Sequence, residues 1–287
     1  MRILLTNDDG ITSDGLWAAA RGLARVGHLT VIGTVDDWSS GSASTRMTVG
    51  ARLARFDAMP DDLGPNVEAY AIEASPGGAI LVGLLCDLFE PFDLVASGAN
   101  YGVNVGGDLV YSGTLGAAAT GFQRGMTAFG ISAARSGQVE PQRWDQITDV
   151  SERIAAWMLA RTGPPILLNV NVPHRAFAEL EGARLVPPGR WANLDRGRFT
   201  ANPEADGSWR IAMSVDPSVT FPDGLDTDAG AVRAGWIAVS QVVPTGFTLQ
   251  PAHDLGGLVD ALAPGSPAPS IIQAPKTSGD SGRGTGR

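Results

Sequence analysis

Two adjacent carboxylates, Asp8 and Asp9, follow directly after an apolar segment at residues 2–6. That segment predicts a buried strand, and Asn7 and Gly10 on either side of the pair favour a turn. Neighbouring carboxylates repel each other, and a hard divalent cation such as Mg²⁺ or Mn²⁺ relieves the repulsion by binding their oxygens. The pair therefore predicts a metal site, with a solvated turn as the alternative interpretation.

Three further polar segments come after predicted strands. They are Ser39-Ser40-Gly41, Ser75-Pro76-Gly77-Gly78, and residues 97–108 with the amides of Asn100 and Asn104. Because ligands of open α/β sheets bind outside the carboxyl ends of the strands, we expect these segments and the two carboxylates to converge at one edge. Side-chain oxygens together with backbone N–H groups at helix starts suit a metal and a phosphate held together.

Two other kinds of nucleotide chemistry lose support. The chain has no Gly-x-x-x-x-Gly-Lys-Ser/Thr loop, and the dinucleotide-binding glycine fingerprint is absent after the first strand. The sequence thus disfavours ATP-driven and nicotinamide-dependent reactions.

The elements that must position these residues alternate between strands and helices. The predicted order is strand 2–6, a helix capped by Thr12 or Ser13, strand 29–33, strand 67–74, a helix from Pro76, strand 93–96, a helix from Leu115, helix 151–159, strand 166–172 and strand 236–243. Strand, helix and strand in succession form a βαβ unit, which folds into a parallel sheet. The pattern predicts a doubly wound α/β fold.

The composition excludes several classes of protein. Of the 287 residues, 44% are hydrophobic and 18% are charged, which is typical of a globular chain with a sizeable core. The formal net charge of −9 disfavours a polymeric nucleic acid as partner. The single cysteine, Cys86, cannot form an internal disulfide and is expected in the core. No segment is apolar for long enough to span a membrane, so we predict a cytoplasmic protein without a membrane partner.

Five segments together resemble the SurE (survival protein E) family. They are Asn7-Asp8-Asp9-Gly10, Ser40-Gly41, the glycine-rich run from Ser97 to Asp108, Tyr111-Ser112-Gly113-Thr114 and Leu168-Asn169-Val170-Asn171-Val172-Pro173. That family comprises metal-dependent 5′/3′-nucleotidases, some of which also act on short polyphosphate. The resemblance implies a three-layer α/β sandwich with a Rossmann-like, mostly parallel sheet, a smaller projecting β-rich excursion and a C-terminal hairpin.

The resemblance also implies a set of site residues. Carried over by position, the family's metal ligands fall on Asp8, Asp9, Ser40 and Asn100, for one Mg²⁺ or Mn²⁺ ion per subunit. Phosphate-binding positions fall on Ser39, Asn104, Ser112, Gly113 and Thr114. Bracing of the loop is the alternative role of Asn104 and Thr114. The chain departs from the family pattern at residues 34–37 and 75–79, which affects polar contacts beside the phosphate.

The implied activity is release of phosphate from nucleoside monophosphates by attack of a metal-activated water, with Asp8 and Asp9 as the catalytic candidates. One alternative is a nucleotide-binding homologue whose altered 75–79 segment has lost activity. Another is a phosphatase with an aspartate nucleophile, against which the adjacent Asp8-Asp9 spacing argues.

The predicted domain covers residues 1–263. Its part from about 187 to 245 is expected to project and to take part in a homodimer or homotetramer, as the resemblance implies. Residues 264–287 are rich in Pro, Ser and Gly and predict a disordered tail.

Overall fold

The computed structural model describes residues 1–47, 50–136, 141–216, 218 and 224–243. Residues 1–244 form one compact unit, and a second unit, 245–287, lies outside the described residues. The predicted tail and the last residues of the predicted domain fall in that second unit.

The described strands are β1 (Arg2–Thr6), β2 (His28–Thr34), β3 (Leu53–Arg55), β4 (Val67–Ile72), β5 (Leu94–Tyr101), β6 (Ala128–Ala133), β7 (Leu167–Val172), β8 (Ala183–Leu185), β9 (Gly197–Pro203), β10 (Trp209–Val215) and β11 (Ile237–Gln241). The described helices are α1 (Asp14–Ala24), α2 (Pro76–Leu85), α3 (Gly113–Gln123), α4 (Asp145–Ala160) and α5 (Asp228–Arg233). Short 3₁₀ turns include Gly106–Val110 and Asn193–Arg196.

Nine strands form the central sheet in the order β3-β4-β2-β1-β5-β6-β7-β11-β8. Within this order the six neighbouring strands β4, β2, β1, β5, β6 and β7 run parallel. The strand β3 is antiparallel to β4, and β11 is antiparallel to β7. Because the strands on either side of β1 are β2 and β5, the chain reverses its direction of winding there. This arrangement confirms the doubly wound, mostly parallel sheet.

Helices cover both faces of the sheet. On one face α1 packs beside α4, and Leu16, Leu23 and Ile147 share a core with β1 residues Ile3 and Leu5. On the other face α2 packs beside α3 over a core that includes Leu4 and Ile80. Alternate residues of β1 thus enter opposite cores, as strand geometry requires. The result is the predicted three-layer sandwich.

Local signals explain where the helices begin. Ser13 caps α1, since its hydroxyl accepts a hydrogen bond from the Leu16 amide at 3.3 Å. Ser75 caps α2 in the same way and Pro76 occupies its first turn. Of the two caps expected for the first helix, the structure selects Ser13.

The 187–245 region contains a separate two-stranded antiparallel sheet formed by β9 and β10. The strand predicted at 236–243 is β11, which in this chain lies between β7 and β8 of the central sheet. None of the helices in the described part of the chain is both long and apolar enough to cross a membrane.

Several local predictions were incomplete or wrong. The strand expected to stop at residue 96 continues to Tyr101, and β6 was not predicted, because its small residues carry a weak β signal. Cys86 is exposed rather than buried, because it stands at the end of α2 on the solvent side.

Candidate active site

A cleft of about 1010 Å³ opens at the carboxyl edge of the central sheet. Its lining includes these sequence-predicted residues: Asp8, Asp9, Ser39, Ser40, Asn100, Asn104 and Ser112. Gly113 and Thr114 are buried directly against Asp8. The predicted site residues are therefore brought together around one cleft, although they come from segments more than 100 positions apart.

Asp8 is 97% buried, with 3% of its surface exposed. Its Oδ1 accepts a 2.7 Å hydrogen bond from the Thr114 hydroxyl. Burial, followed by repulsion from the Asp9 carboxylate, raises the pKa of Asp8 to about 7, and the Thr114 hydrogen bond acts in the opposite direction. A carboxylate in this environment gains from a cation that neutralises it.

Gly113 allows Asp8 to lie this close to α3. A Cβ atom added at residue 113 would stand 2.7 Å from Asp8 Oδ2 and 2.8 Å from Asp8 Cβ. Both distances are shorter than van der Waals contact, so a side chain at residue 113 would displace the carboxylate.

Asp9 is half-buried, and its Oδ2 accepts a 2.9 Å hydrogen bond from the Tyr101 amide. Burial raises the pKa of Asp9 and the nearby Asp37 adds to the rise, while the Tyr101 hydrogen bond and Arg135 oppose it. Neither Asp8 nor Asp9 forms an ion pair with a described residue within 4.0 Å. The pair therefore carries negative charge without a direct protein counter-ion in this part of the chain.

The two adjacent serines have different environments. Ser39 directs both its amide and its hydroxyl to Asp37 Oδ1, at 2.7 Å and 2.6 Å. Ser40 lies in the left-handed region with φ of +63°, and its hydroxyl has no hydrogen-bond partner among the described residues. Ser40 is accordingly the serine with a hydroxyl available to a ligand.

Asn100 lies near the carboxyl end of β5 and its Nδ2 donates a 2.6 Å hydrogen bond to the Gly102 carbonyl. This bond fixes the amide and leaves its oxygen without a donor among the described residues. Within the same part of the chain, no cluster of three or more His, Cys, Asp or Glu side chains is suited to a metal. A metal in this cleft would therefore depend on two carboxylates and neutral oxygens, a donor set that fits Mg²⁺ or Mn²⁺.

The first turn of α3 faces the same region. Ser112 accepts a 3.0 Å hydrogen bond from the Leu115 amide and so caps the helix. The amides of Gly113 and Thr114 have no acceptor among the described residues. Free amides at a helix N-terminus attract anions, because the helix dipole places partial positive charge there.

A buried hydrogen-bond network supports this arrangement from β6 and β7. The Asn104 amide nitrogen Nδ2 donates to Ser132 Oγ at 2.9 Å and to Thr114 Oγ1 at 3.3 Å. The Asn104 carbonyl accepts hydrogen bonds from Asn169 at 2.8 Å and Asn171 at 2.9 Å. Asn171 Oδ1 also accepts the Asn104 backbone amide at 2.8 Å. Thr114 thus contacts Asp8 directly, and Asn104 is connected to Asp8 through Thr114.

The Ser75–Ala79 segment does not line the described cleft. Ser75 Oγ donates hydrogen bonds to the carbonyls of Ser44 and Arg46, at 2.7 Å and 3.1 Å. The departure from the family pattern at residues 75–79 therefore lies outside the cleft lining, whereas Asp37, from the departure at residues 34–37, is part of the lining.

Sequence reasoning missed further residues of the cleft. They are Asp37, Tyr101, Arg135, His174, Arg175, Arg196 and Arg233. His174 and Arg175 follow β7, so the rule that placed Asp8 at a strand end also applies to them. Arg196 and Arg233 lie in segments without hydrophobic periodicity and carried no sequence signal.

Fold and site together define a doubly wound α/β protein with a carboxylate-containing cleft at the carboxyl edge of its sheet. Residues 3–194 match the model of the family described as Survival protein SurE. The chain belongs to the SurE family.

Known relatives match the sequence of this chain over most of their length. The chain is 32% identical to a 5′-nucleotidase SurE of Dehalococcoides mccartyi, over 91% of this chain and 97% of that protein. It is 34% identical to the 5′-nucleotidase SurE of Laribacter hongkongensis, over 84% of this chain and 92% of that protein. The crystal structure of the SurE protein from Aquifex aeolicus superposes with a TM-score of 0.68 at 25% identity, covering 84% of this chain and 93% of that one.

Proposed function

We propose that the protein is a metal-dependent nucleotidase that hydrolyses nucleoside monophosphates to nucleoside and inorganic phosphate. The observation that carries the proposal is the adjacent pair of buried Asp8 and half-buried Asp9, which lines a cleft together with Ser112 at the start of α3. The relatives named 5′-nucleotidase SurE support the same reaction class. Carboxylates and free helix N-terminal amides next to each other suit a phosphate held by a cation.

Asp8, Asp9, Ser40 and Asn100 would hold one Mg²⁺ or Mn²⁺ ion. When bound, such an ion supplies neutralisation of phosphate charge and a water of lowered pKa. Thr114 keeps Asp8 Oδ1 oriented, and the Tyr101 amide does the same for Asp9 Oδ2.

The protein's own groups then act on the phosphate. The amides of Gly113 and Thr114 receive oxygens of the phosphoryl group and stabilise the charge that develops on them. Asp9 accepts the proton of the attacking water. The P–O bond to the ribose oxygen breaks, and that oxygen takes up the proton that Asp9 received and leaves as the hydroxyl of the nucleoside.

Phosphate release from 5′- and 3′-nucleoside monophosphates and short polyphosphate, measured with Mg²⁺, Mn²⁺ or EDTA, tests the proposal. We expect release from the monophosphates that requires metal and falls at least 100-fold in Asp8→Asn. The matched control is Asp57→Asn, since the Asp57 side chain is 89% exposed and lies outside the cleft lining. Metal-independent release would contradict the mechanism, and folded protein that binds nucleotide without releasing phosphate would be the binding homologue.

We also infer that the chain assembles as a homodimer or homotetramer through the β9–β10 hairpin. Phe199 pairs with Met213 across the two strands. Trp209, Ile211 and Met213 occupy alternate positions of β10, so their side chains lie on the same face. One face of the hairpin is therefore apolar, yet these four side chains are 53–67% exposed. Sedimentation of the wild-type protein and of Ile211→Asp tests this, and a monomeric wild type would contradict it.

A further inference from the structure

The cleft has a second wall, which the hydrolytic site does not use. It is formed by the segment after β7, the 3₁₀ turn Asn193–Arg196 and the end of α5. From these elements His174, Arg175, Arg196 and Arg233 line the cleft. We call these four residues the basic wall. Its concentration of guanidinium groups contrasts with the net charge of −9 of the whole chain.

The sheet order sets the distance between the two walls. Asp9 follows β1 and His174 follows β7, and the strands β5 and β6 lie between them. Neighbouring strands are about 4.8 Å apart, so three steps separate the two strand ends by about 14 Å. This gap is too wide for one phosphate to contact both walls, so a ligand that contacts both must be larger than phosphate.

His174 presents a hydrogen-bond donor on this wall. Its Nε2 accepts a 3.0 Å hydrogen bond from the Arg143 backbone amide. In the neutral ring this assigns the proton to Nδ1, which has no acceptor among the described residues. The wall therefore combines the Nδ1 donor of His174 with the adjacent Arg175 guanidinium.

Arg175 and Arg196 have unused capacity to bind an anion. Arg175 contacts Glu181 through one nitrogen at 3.5 Å, a long contact for an ion pair, and its side chain is 40% exposed. Arg196 Nε is buried without a hydrogen-bond partner among the described residues. Guanidinium groups bind phosphate through several N–H donors at once.

We propose that the basic wall binds the second phosphate of a nucleoside bisphosphate while its first phosphate lies at Asp8, Asp9 and the first turn of α3. The two phosphates of such a molecule stand on opposite sides of one ribose, which matches two anion sites separated across a cleft. The inference rests on the proposed function. In the reaction a water oxygen forms the new bond to phosphorus, the ester P–O bond breaks, and the ribose oxygen takes a proton, leaving a nucleoside monophosphate and inorganic phosphate.

The first experiment compares kcat/KM for adenosine 3′,5′-bisphosphate with kcat/KM for the 5′- and 3′-monophosphates. Because the added contacts are charge-assisted hydrogen bonds, we expect the bisphosphate to be preferred by about 10-fold to 100-fold. Arg175→Gln and Arg196→Gln should each lower that preference toward one. The matched control is Arg124→Gln, since Arg124 is exposed at the far end of α3, and this variant should keep the wild-type preference.

The second experiment separates this inference from the proposed function. Calorimetry with the Asp8→Asn protein measures the Kd of the bisphosphate and of the monophosphates without turnover. This substitution leaves the four residues of the basic wall unchanged. We expect tighter binding of the bisphosphate by about 10-fold or more. Equal kcat/KM and equal Kd for the two substrate types would overturn the basic-wall inference and leave the nucleotidase intact. A bisphosphate preference in Kd without hydrolysis of any substrate by the wild type would overturn the proposed function alone.

Discussion

Thr114 donates a 2.7 Å hydrogen bond to Asp8, a residue 106 positions earlier in the chain. The bond joins the first turn of α3 to the end of β1, and both groups are almost fully buried. It fixes one oxygen of the Asp8 carboxylate, so that the other oxygen is available to a ligand. The bond therefore connects the fold to the chemistry proposed for the cleft.

Replacement of Thr114 tests this connection. Thr114→Val keeps the shape of the side chain but removes the donor, so we expect Mn²⁺ affinity to fall about 10-fold to 100-fold. We also expect the free energy of unfolding to fall by about 1–3 kcal/mol, because Asp8 loses its buried partner. Thr114→Ser retains the hydroxyl and should bind Mn²⁺ nearly as the wild type does. Equal Mn²⁺ binding by the Val and Ser variants in paramagnetic resonance titrations would refute this role.

The raised pKa of Asp8 predicts how the stability of the metal-free protein depends on pH. Because folding raises this pKa from its ordinary value to about 7, the folded state holds the proton more tightly than the unfolded state does. The contribution of protonated Asp8 to the free energy of unfolding is therefore complete below about pH 4 and is lost as pH rises through about 7.

Urea unfolding in EDTA measures this dependence. We expect Asp8→Asn to lose less stability than the wild type between pH 4 and pH 7, by a few kcal/mol. Asp57→Asn serves as the control, since its exposed carboxylate should leave the wild-type slope unchanged. Parallel curves for the wild type and Asp8→Asn would show that the Asp8 pKa is not raised.

The Asn104 network predicts unequal effects of two neighbouring asparagines. Asn171 makes two hydrogen bonds to the Asn104 backbone, whereas Asn169 makes one to a carbonyl that Asn171 also bonds. Asn171→Ala leaves a buried amide without an acceptor and should cost about 1–3 kcal/mol of stability and reduce kcat. Asn169→Ala should have the smaller effect on both. The opposite ranking in urea unfolding and steady-state assays would contradict the network.

Gly113→Ala sets two physical effects against each other. Alanine is favoured over glycine by about 1 kcal/mol in a helix interior and by less at the first residue of a helix, so the gain for α3 is small. Its Cβ would however lie 2.7 Å from Asp8 Oδ2, so the carboxylate must move. We expect Mn²⁺ binding and phosphate release to fall by at least 10-fold. Full Mn²⁺ affinity in the alanine variant would mean that Asp8 Oδ2 does not participate.

The sequence by itself determined the parts of this protein that are encoded locally. An apolar segment ending in polar residues located the strand end that carries Asp8 and Asp9. A cap at Thr12 or Ser13 and the proline Pro76 located the starts of α1 and α2. The alternation of strands and helices was sufficient to predict the parallel sheet, since a βαβ unit has one preferred handedness. The order of the glycine-rich and asparagine-rich segments indicated the family.

Only the tertiary structure decided which side chains meet. The contacts of Asn171 with Asn104 and of Thr114 with Asp8 span 67 and 106 residues, so no local pattern specifies them. The family resemblance placed the metal ligand at Ser40 rather than at the adjacent Ser39, and only the structure shows that the Ser39 hydroxyl is bonded to Asp37. The basic wall likewise depends on the strand order β1-β5-β6-β7, because that order sets the distance across the cleft. Local sequence indicates where strands and helices form, whereas the packing of the whole sheet determines which side chains lie opposite one another.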